Sequence, residues 1–297
     1  MKIIIAPYAG ACSGVKKALR VTETALIQCR DNIYCLHDIV HNKQVMEKLY
    51  RMGLQKVESL EKLIAGDNLI INTHGTGPFT YQNAFSRGVN IIDTTCSNVR
   101  HVQKLAGDLA NDNHQLIITG EKNHPEVKGI LEWCHGYPIV TKDINDMLSL
   151  NIKADSKIAL ISQTTFSLSR FSEIAQHLKK YCPALKIYQT ICRSTELRQK
   201  GILEIAGKVD TLWVIGSAHS ANTTALLGIA QNYHPDSRLI EDADEINIDF
   251  LYGINTLGIT AGASTPDWVI NTVLKRISGL SKNYVGYTES LGKHSSF

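Results

Sequence analysis

The stretch Met1-Lys2-Ile3-Ile4-Ile5-Ala6-Pro7-Tyr8-Ala9-Gly10-Ala11-Cys12-Ser13-Gly14-Val15 sets the pattern of the whole chain. Its β-branched run, Lys2–Ala6, reads as a strand. A proline and a glycine-containing polar turn end that strand. Ser13 then opens an amphipathic stretch to Arg30 and is expected to cap it. The succession of strand, small polar turn and helix returns along the chain. Further strands are expected at Ile33–Leu36, Asn68–Asn72, Val89–Asp93, Gln115–Thr119, Pro138–Thr141, Lys157–Ser162, Lys186–Gln189, Thr211–Ile215, Ser237–Ile240 and Thr256–Thr260. They are brief, rich in Ile, Val and Leu, and not strictly alternating, as buried parallel strands are. Amphipathic stretches lie between them at Asn98–Asn111, Ser169–Tyr181 and Asp267–Ile277. Ser169 and either Ser264 or Thr265 are the expected caps, with Pro266 near the first helical position. This alternation predicts an α/β fold of βα units with parallel sheets.

The strand ends share a character. After the apolar run come Asn72-Thr73-His74-Gly75, Gly120 to Glu126, Ser162-Gln163-Thr164-Thr165, Gly216 to Asn222, and Thr260-Ala261-Gly262-Ala263-Ser264. Ligands of parallel sheets sit outside the carboxyl ends of the strands. Glycine-rich turns that lead into helix N-termini favour phosphate. The turns belong to what reads as three successive units, without an exact repeat, a low-complexity segment or an obvious linker. Ser281–Phe297 loses periodicity and reads as an extended arm.

The 297 residues suffice for two or three small domains or one large one. A hydrophobic content of 43% and a charged content of 20% are ordinary for a folded soluble protein. A net charge of +3 with no dense Lys/Arg block is too mild for a nucleic-acid groove and suits a small anionic ligand better. No apolar run approaches the roughly 20 residues that span a bilayer. The N-terminus reads as a first strand, not a signal peptide, so the cytoplasm is the expected compartment and the cysteines should stay reduced. Seven cysteines is an odd count without CxxC spacing, which argues against a disulfide framework.

Cys12, Cys96 and Cys192 lie 84 and 96 residues apart (12 to 96, 96 to 192), about one small α/β unit each. Each falls in a polar or glycine-containing turn just past an apolar run. Cys35, inside Ile33-Tyr34-Cys35-Leu36, reads as a core residue, and Cys29, Cys134 and Cys182 have no polar-turn context. Free cysteine is commonly a small buried hydrophobe. Three thiolates at the mouths of three units can instead meet at one point. They would then hold an iron–sulfur cluster or a zinc ion with one position open to substrate. His41, His74 and His124 sit in comparable turns, where imidazole can donate hydrogen bonds to a phosphate. Glu126 follows Pro125 at an expected helix start. Its ordinary role there is to meet the macrodipole; a proton-donor role needs a carboxyl that can be protonated at working pH. A helix end lowers its pKa and a neighbouring diphosphate raises it. Thr164-Thr165, Ser220-Ala221-Asn222 and Ser264 can donate to phosphate oxygens or serve as ordinary caps.

Taken together, these segments resemble the 4-hydroxy-3-methylbut-2-enyl diphosphate reductase family. The matching stretches are Gly10-Ala11-Cys12-Ser13-Gly14-Val15, Ile39-Val40-His41-Asn42, Thr73-His74-Gly75, Asp93-Thr94-Thr95-Cys96, Asn123-His124-Pro125-Glu126, Gln163-Thr164-Thr165, Thr190-Ile191-Cys192 with Arg198-Gln199, Gly216-Ser217 through Ser220 and Asn222, and Thr260 to Ser264 with Pro266-Asp267. The resemblance implies three similar α/β lobes with short, mainly parallel sheets around a central cavity. The lobes would span 13–96, 97–192, and 193–280 with 1–12, followed by an arm over 281–297. It implies a [4Fe-4S] cluster on Cys12, Cys96 and Cys192. It also implies an allylic diphosphate substrate, reduced by two electrons and two protons to isopentenyl and dimethylallyl diphosphates. Substrate contacts would carry over to His41, His74, His124, Thr165, Ser220, Asn222 and Ser264. Catalytic proton handling would fall to Glu126 and Thr165, with His124 beside them. A ferredoxin or flavodoxin would supply electrons, since the sequence holds no Rossmann G-x-G-x-x-G. Ala221, Ser97, Ala11 and Arg193 depart from the family's usual serine, proline, aromatic and smaller neighbour. A non-catalytic cluster-binding homologue and a zinc hydrolase using Glu126 as base are the alternative readings.

Overall fold

The structure, a computed structural model, describes residues 1–29, 31–145, 157–281 and 288–289. Its strands form three small parallel sheets, each the floor of an α/β lobe. The first holds β2 (Ile33–Cys35), β3 (Leu54–Lys56), β4 (Asn68–Ile71) and β5 (Asn90–Asp93), in the order β3-β2-β4-β5. The second holds β6 (Gln115–Thr119), β7 (Ile139–Thr141), β8 (Ile158–Ser162) and β9 (Lys186–Ile187), in the order β7-β6-β8-β9. The third holds β10 (Thr211–Ile215), β11 (Arg238–Ile240), β12 (Thr256–Ala261) and β1 (Lys2–Ile5), in the order β11-β10-β12-β1. A two-residue strand, β13 (Thr288–Glu289), pairs with the outer side of β1. Each sheet thus uses one topology, second-first-third-fourth, and the third sheet takes its fourth strand from the chain's start. The repeat is one of connectivity, which is why no repeated residues betray it.

The strands form where both faces are covered. Leu116, Ile117 and Ile118 of β6 and Ile158 to Ile161 of β8 are all buried, which explains their lack of alternation. Helix α6 (Leu168–Tyr181) shows how a helix covers such a sheet. Phe171, Ile174, Ala175 and Leu178 recur at helical spacing and pack with Ile117, Ile158 and Leu160. Truncating a side chain such as Ile174 to alanine would cost about 2–5 kcal/mol.

The described residues fall into two compact units. One comprises Met1–Lys16, His41–Val45 and the chain from Arg193; the other comprises Lys17–Val40 and Met46–Cys192. The third sheet belongs to the former, and the first and second sheets belong to the latter.

Several local expectations are corrected. Helix α1 (Ser13–Gln28) starts on Ser13 itself, and the cap position falls to Cys12, whose Sγ accepts the Val15 N–H at 3.4 Å. Helix α6 is capped by Ser167, which accepts from the Arg170 N–H, and not by Ser169. Helix α9 (Asp267–Ser281) begins after Pro266, whose carbonyl accepts from Val269 and Ile270; Pro266 therefore precedes the helix. Ser264 and Thr265 turn elsewhere, to the carbonyls of His41 and Ile215. The strand β3 went unread, because Leu54-Gln55-Lys56 buries only Leu54 and offers no apolar run. Of the expected C-terminal arm, 282–287 and 290–297 lie outside the described residues.

Candidate active site

The three cysteines expected as ligands hold one structural position. Each directly precedes a helix: Cys12 before α1, Cys96 before α4 (Ser97–Asn111) and Cys192 before α7 (Arg193–Ala206). Each follows the fourth strand of its sheet. Each backbone N–H donates to a carbonyl in the turn after the third strand: Cys12 to Ala263 (3.1 Å), Cys96 to Thr73 (3.1 Å) and Cys192 to Thr164 (2.9 Å). The residues after those carbonyls are Ser264, His74 and Thr165, all expected substrate contacts. One topology, used three times, therefore sets a thiol beside a polar side chain. All three are half-buried, and none is in a disulfide. Cys35 and Cys182 are buried, and burial with nearby Asp38 pushes the Cys35 thiol up to about 12. Burial raises Cys134 to about 11.

In the unit that carries the first two sheets, His74 and His124 meet edge-on with ring centroids 5.0 Å apart. Gly75, at φ +68°, lets the His74 turn close on the turn of Cys96. A Cβ there would lie 2.9 Å from Thr95 Cγ2 and 2.7 Å from Gln103 Nε2. His124 caps α5 (Pro125–Glu132): its Nδ1 accepts the Glu126 N–H at 3.1 Å. In the neutral ring the proton is therefore on Nε2, which makes that atom a donor.

Glu126 is 1% exposed. Its two carboxylate oxygens accept from Thr164, one from the backbone N–H at 2.6 Å and one from the hydroxyl at 2.9 Å. Burial pushes its pKa up to about 7, against the downward pull of the two Thr164 bonds. Desolvation therefore decides the contest that the sequence left open between helix end and ligand charge. The hydroxyl that reaches Glu126 is that of Thr164. The Thr165 hydroxyl instead accepts from Gln163 Nε2 at 2.9 Å.

In the other unit, Ser264 is buried and donates to the His41 carbonyl at 3.1 Å. Ser220 caps α8 (Ala221–Tyr233) by accepting the Thr223 N–H at 3.4 Å. Asn222, in the first turn of α8, is 3% exposed, and neither its amide nitrogen nor its oxygen has a partner among the described residues. An unmet buried polar atom costs about 1–3 kcal/mol. A polar ligand at this turn would remove that cost. Ala221 leaves its backbone N–H at the helix start, where an anion is favoured. Arg193 is exposed and lies beside Glu196, so its bulk is turned to solvent.

Sequence reasoning under-read three residues. Thr164 was grouped with ordinary caps, and only its contact with Glu126 distinguishes it from Thr165. Gln163 also donates order, since its Oε1 accepts the Glu121 N–H at 3.1 Å. Arg198 appeared only as part of a motif, yet it is 4% exposed and bound to Gly10.

The family model described as LytB protein matches residues 3–278. The chain is 38% identical over 283 residues to 4-hydroxy-3-methylbut-2-enyl diphosphate reductase of Caldanaerobacter subterraneus, covering 94% of this chain and 98% of that one. It is 34% identical over 278 residues to the protein of the same name from Aquifex aeolicus, covering 93% and 95%. The solved E-1-hydroxy-2-methyl-but-2-enyl-4-diphosphate reductase from Plasmodium falciparum superposes with a TM-score of 0.91 at 29% identity, covering 97% of this chain and 90% of that one. A second solved structure, described as the terminal enzyme of the non-mevalonate pathway, gives a TM-score of 0.67 at 34% identity, with 94% and 99% covered.

Proposed function

Because this chain belongs to the LytB family, we propose that it is a 4-hydroxy-3-methylbut-2-enyl diphosphate reductase. It takes the allylic hydroxyl off as water, using two electrons and two protons, and releases isopentenyl and dimethylallyl diphosphates. The observation that carries this reading is Glu126: a buried acid with a pKa of about 7, bound to a hydroxyl. A protein that only bound or sensed a cluster would have no use for it.

Cys12, Cys96 and Cys192 would hold a [4Fe-4S] cluster, and their shared position before three helices fits that role. When bound, the cluster supplies electrons and an iron position open to the leaving hydroxyl. The chain's own residues do the rest. Glu126, about half protonated at neutral pH, carries the proton for the departing oxygen. Thr164 orients that carboxyl by two bonds and offers its hydroxyl as a relay atom. Thr165 stands next to it as a second hydroxyl for the substrate. His124 donates to the diphosphate through Nε2–H, as do His41 and His74. Ser220, Asn222 and Ser264 complete the diphosphate contacts, and the unmet Asn222 amide supports its place among them.

The lobes are proposed to run over 13–96, 97–192, and 193–280 with 1–12. A ferredoxin or flavodoxin is the proposed electron donor and the cytoplasm the proposed compartment. Among the described residues, no helix is long and apolar enough to cross a membrane.

Anaerobic purification, iron quantification and assay with the hydroxymethylbutenyl diphosphate and a chemical reductant test the proposal together. Turnover with about four irons per chain is expected. A colourless preparation with stoichiometric zinc would overturn the cluster assignment. A full cluster without turnover would overturn the enzymatic one.

A further inference from the structure

We infer that Arg198 is a positioning residue that holds the Pro7–Cys12 loop, and thereby the Cys12 thiol, in the shape the cluster needs. The inference rests on the cluster reading above for its functional meaning, and on Arg198's own contacts for its mechanics.

The loop from Pro7 to Cys12 needs external support. Tyr8 sits at φ +63°, a left-handed conformation that is costly for a residue with a side chain. Gly10 sits at φ +97°, and a Cβ on it would lie 2.9 Å from Ile270 Cδ1. Within the loop, the Gly10 N–H donates to Ala261 and the Cys12 N–H to Ala263. Those bonds fix the side that faces β12.

The Gly10 carbonyl points the other way and is held by Arg198. Both Nε (3.1 Å) and Nη2 of the guanidinium donate to that single oxygen. Nη1 of the same group donates to the Ser194 carbonyl at 2.7 Å and to the Ser194 hydroxyl. One planar fork therefore ties the residue two before Cys12 to the first turn of α7. That helix begins at the residue after Cys192. One turn along α7, Gly201 closes the same contact: a Cβ there would lie 2.5 Å from the Pro7 carbonyl. The helix face of Arg198 and Gly201 thus seats directly on the loop backbone. A lysine could keep the charge but not the fork, because its ammonium is a point donor on a flexible stem.

The test compares Arg198→Lys with the natural protein and with Ile277→Ala, a buried core truncation in α9 that leaves the loop's contacts alone. In the iron-free proteins, amide exchange is read over residues 6–15. Arg198→Lys should exchange faster there by about 10-fold, and Ile277→Ala should not. In the iron-loaded proteins, Arg198→Lys should lose iron in air about 10-fold faster and give an altered electron paramagnetic resonance spectrum of the reduced cluster. Ile277→Ala should keep both signatures. Unchanged exchange and an unchanged spectrum in Arg198→Lys would overturn the inference. Equal changes in Ile277→Ala would overturn it as well, by reducing Arg198 to general stability. If Arg198→Lys does not fold, Ser194→Ala, which removes one anchor of the guanidinium, takes its place: faster exchange over residues 6–15 supports the clamp, and unchanged exchange overturns it. Failure of the natural protein to bind iron would defeat the cluster reading, and the exchange measurement would still judge the clamp.

Discussion

Asp93 and Glu126 are carboxylates of the same unit, both at the carboxyl-end side of parallel strands, and they are tuned in opposite directions. Burial raises both. At Asp93 the Thr95 amide, the Tyr81 hydroxyl and the Arg100 guanidinium outweigh burial and hold the carboxyl below its usual range. At Glu126 Thr164 alone donates among the described residues besides the chain's own helix, and burial prevails. Number and charge of donors, not depth alone, decide which carboxyl stays an anion. Asp93 organises the turn that leads to Cys96. Glu126, held by Thr164 and by burial, is left able to carry a proton at neutral pH.

The largest expected break of this contrast is catalytic. Glu126→Gln should lower product formation by about 10²–10⁴-fold while iron content is unchanged. Asp93→Asn, assayed alongside, should keep the wild-type shape of the pH–rate profile. Near-normal turnover in Glu126→Gln would remove Glu126 from the proton path.

Stability should then slope oppositely with pH. The folded protein keeps the Glu126 proton between about pH 4.5 and 7, where the unfolded chain has released it. Wild type therefore loses up to about 3 kcal/mol as pH rises through that window. Glu126→Gln lacks this loss, so its melting temperature should gain on wild type from pH 5 to pH 8. Asp93 has a depressed pKa, so its contribution is present above its unfolded value of 3.8 and disappears as pH falls. Asp93→Asn should cost about 1–3 kcal/mol at pH 7, a gap that closes in acid. Parallel slopes in thermal melts of the two variants would erase the distinction.

Thr164→Val sharpens the comparison at the Glu126 carboxyl. It removes one of the two bonds that pull the Glu126 pKa down. The alkaline fall of kcat/KM, set by loss of the Glu126 proton, should move to higher pH. A limb that stays in place would show that Glu126 does not set it. Tyr81→Phe is the mildest case. It deletes one donor to Asp93 and should cost about 1 kcal/mol in chemical denaturation without moving the pH–rate profile.

The sequence revealed what depends on local pattern. Apolar runs such as Leu116-Ile117-Ile118 and Thr211-Leu212-Trp213-Val214-Ile215 announce their strands, because both faces are buried and only apolar residues suit both. The polar-turn context of Cys12, Cys96 and Cys192 is likewise local, and it separates them from Cys35. What stayed hidden depends on partners distant in the chain. Thr164 and Thr165 look alike until Glu126, 38 residues away, selects one of them. The direction of the Glu126 shift needed its burial to be known. The choice of Cys12 over Ser13 as the cap of α1 turned on a turn geometry fixed by Ala263, and the importance of Arg198 on Gly10, 188 residues earlier.

The strand that precedes Cys12 completes a sheet whose other members lie at the far end of the chain. Lys2–Ile5 pairs in register with Thr256–Ile259. On the ribosome, the first thiol to emerge must therefore wait for nearly all of the remaining chain before its loop has anything to rest on. Folding domain by domain from the N-terminus can finish the first and second sheets early, but the third closes only by a long-range pairing, the slowest kind to form. Cys12 is thus the earliest of the three thiols to be synthesised and the last to reach its place. Any metal loaded during synthesis would meet two settled thiols and one still in transit.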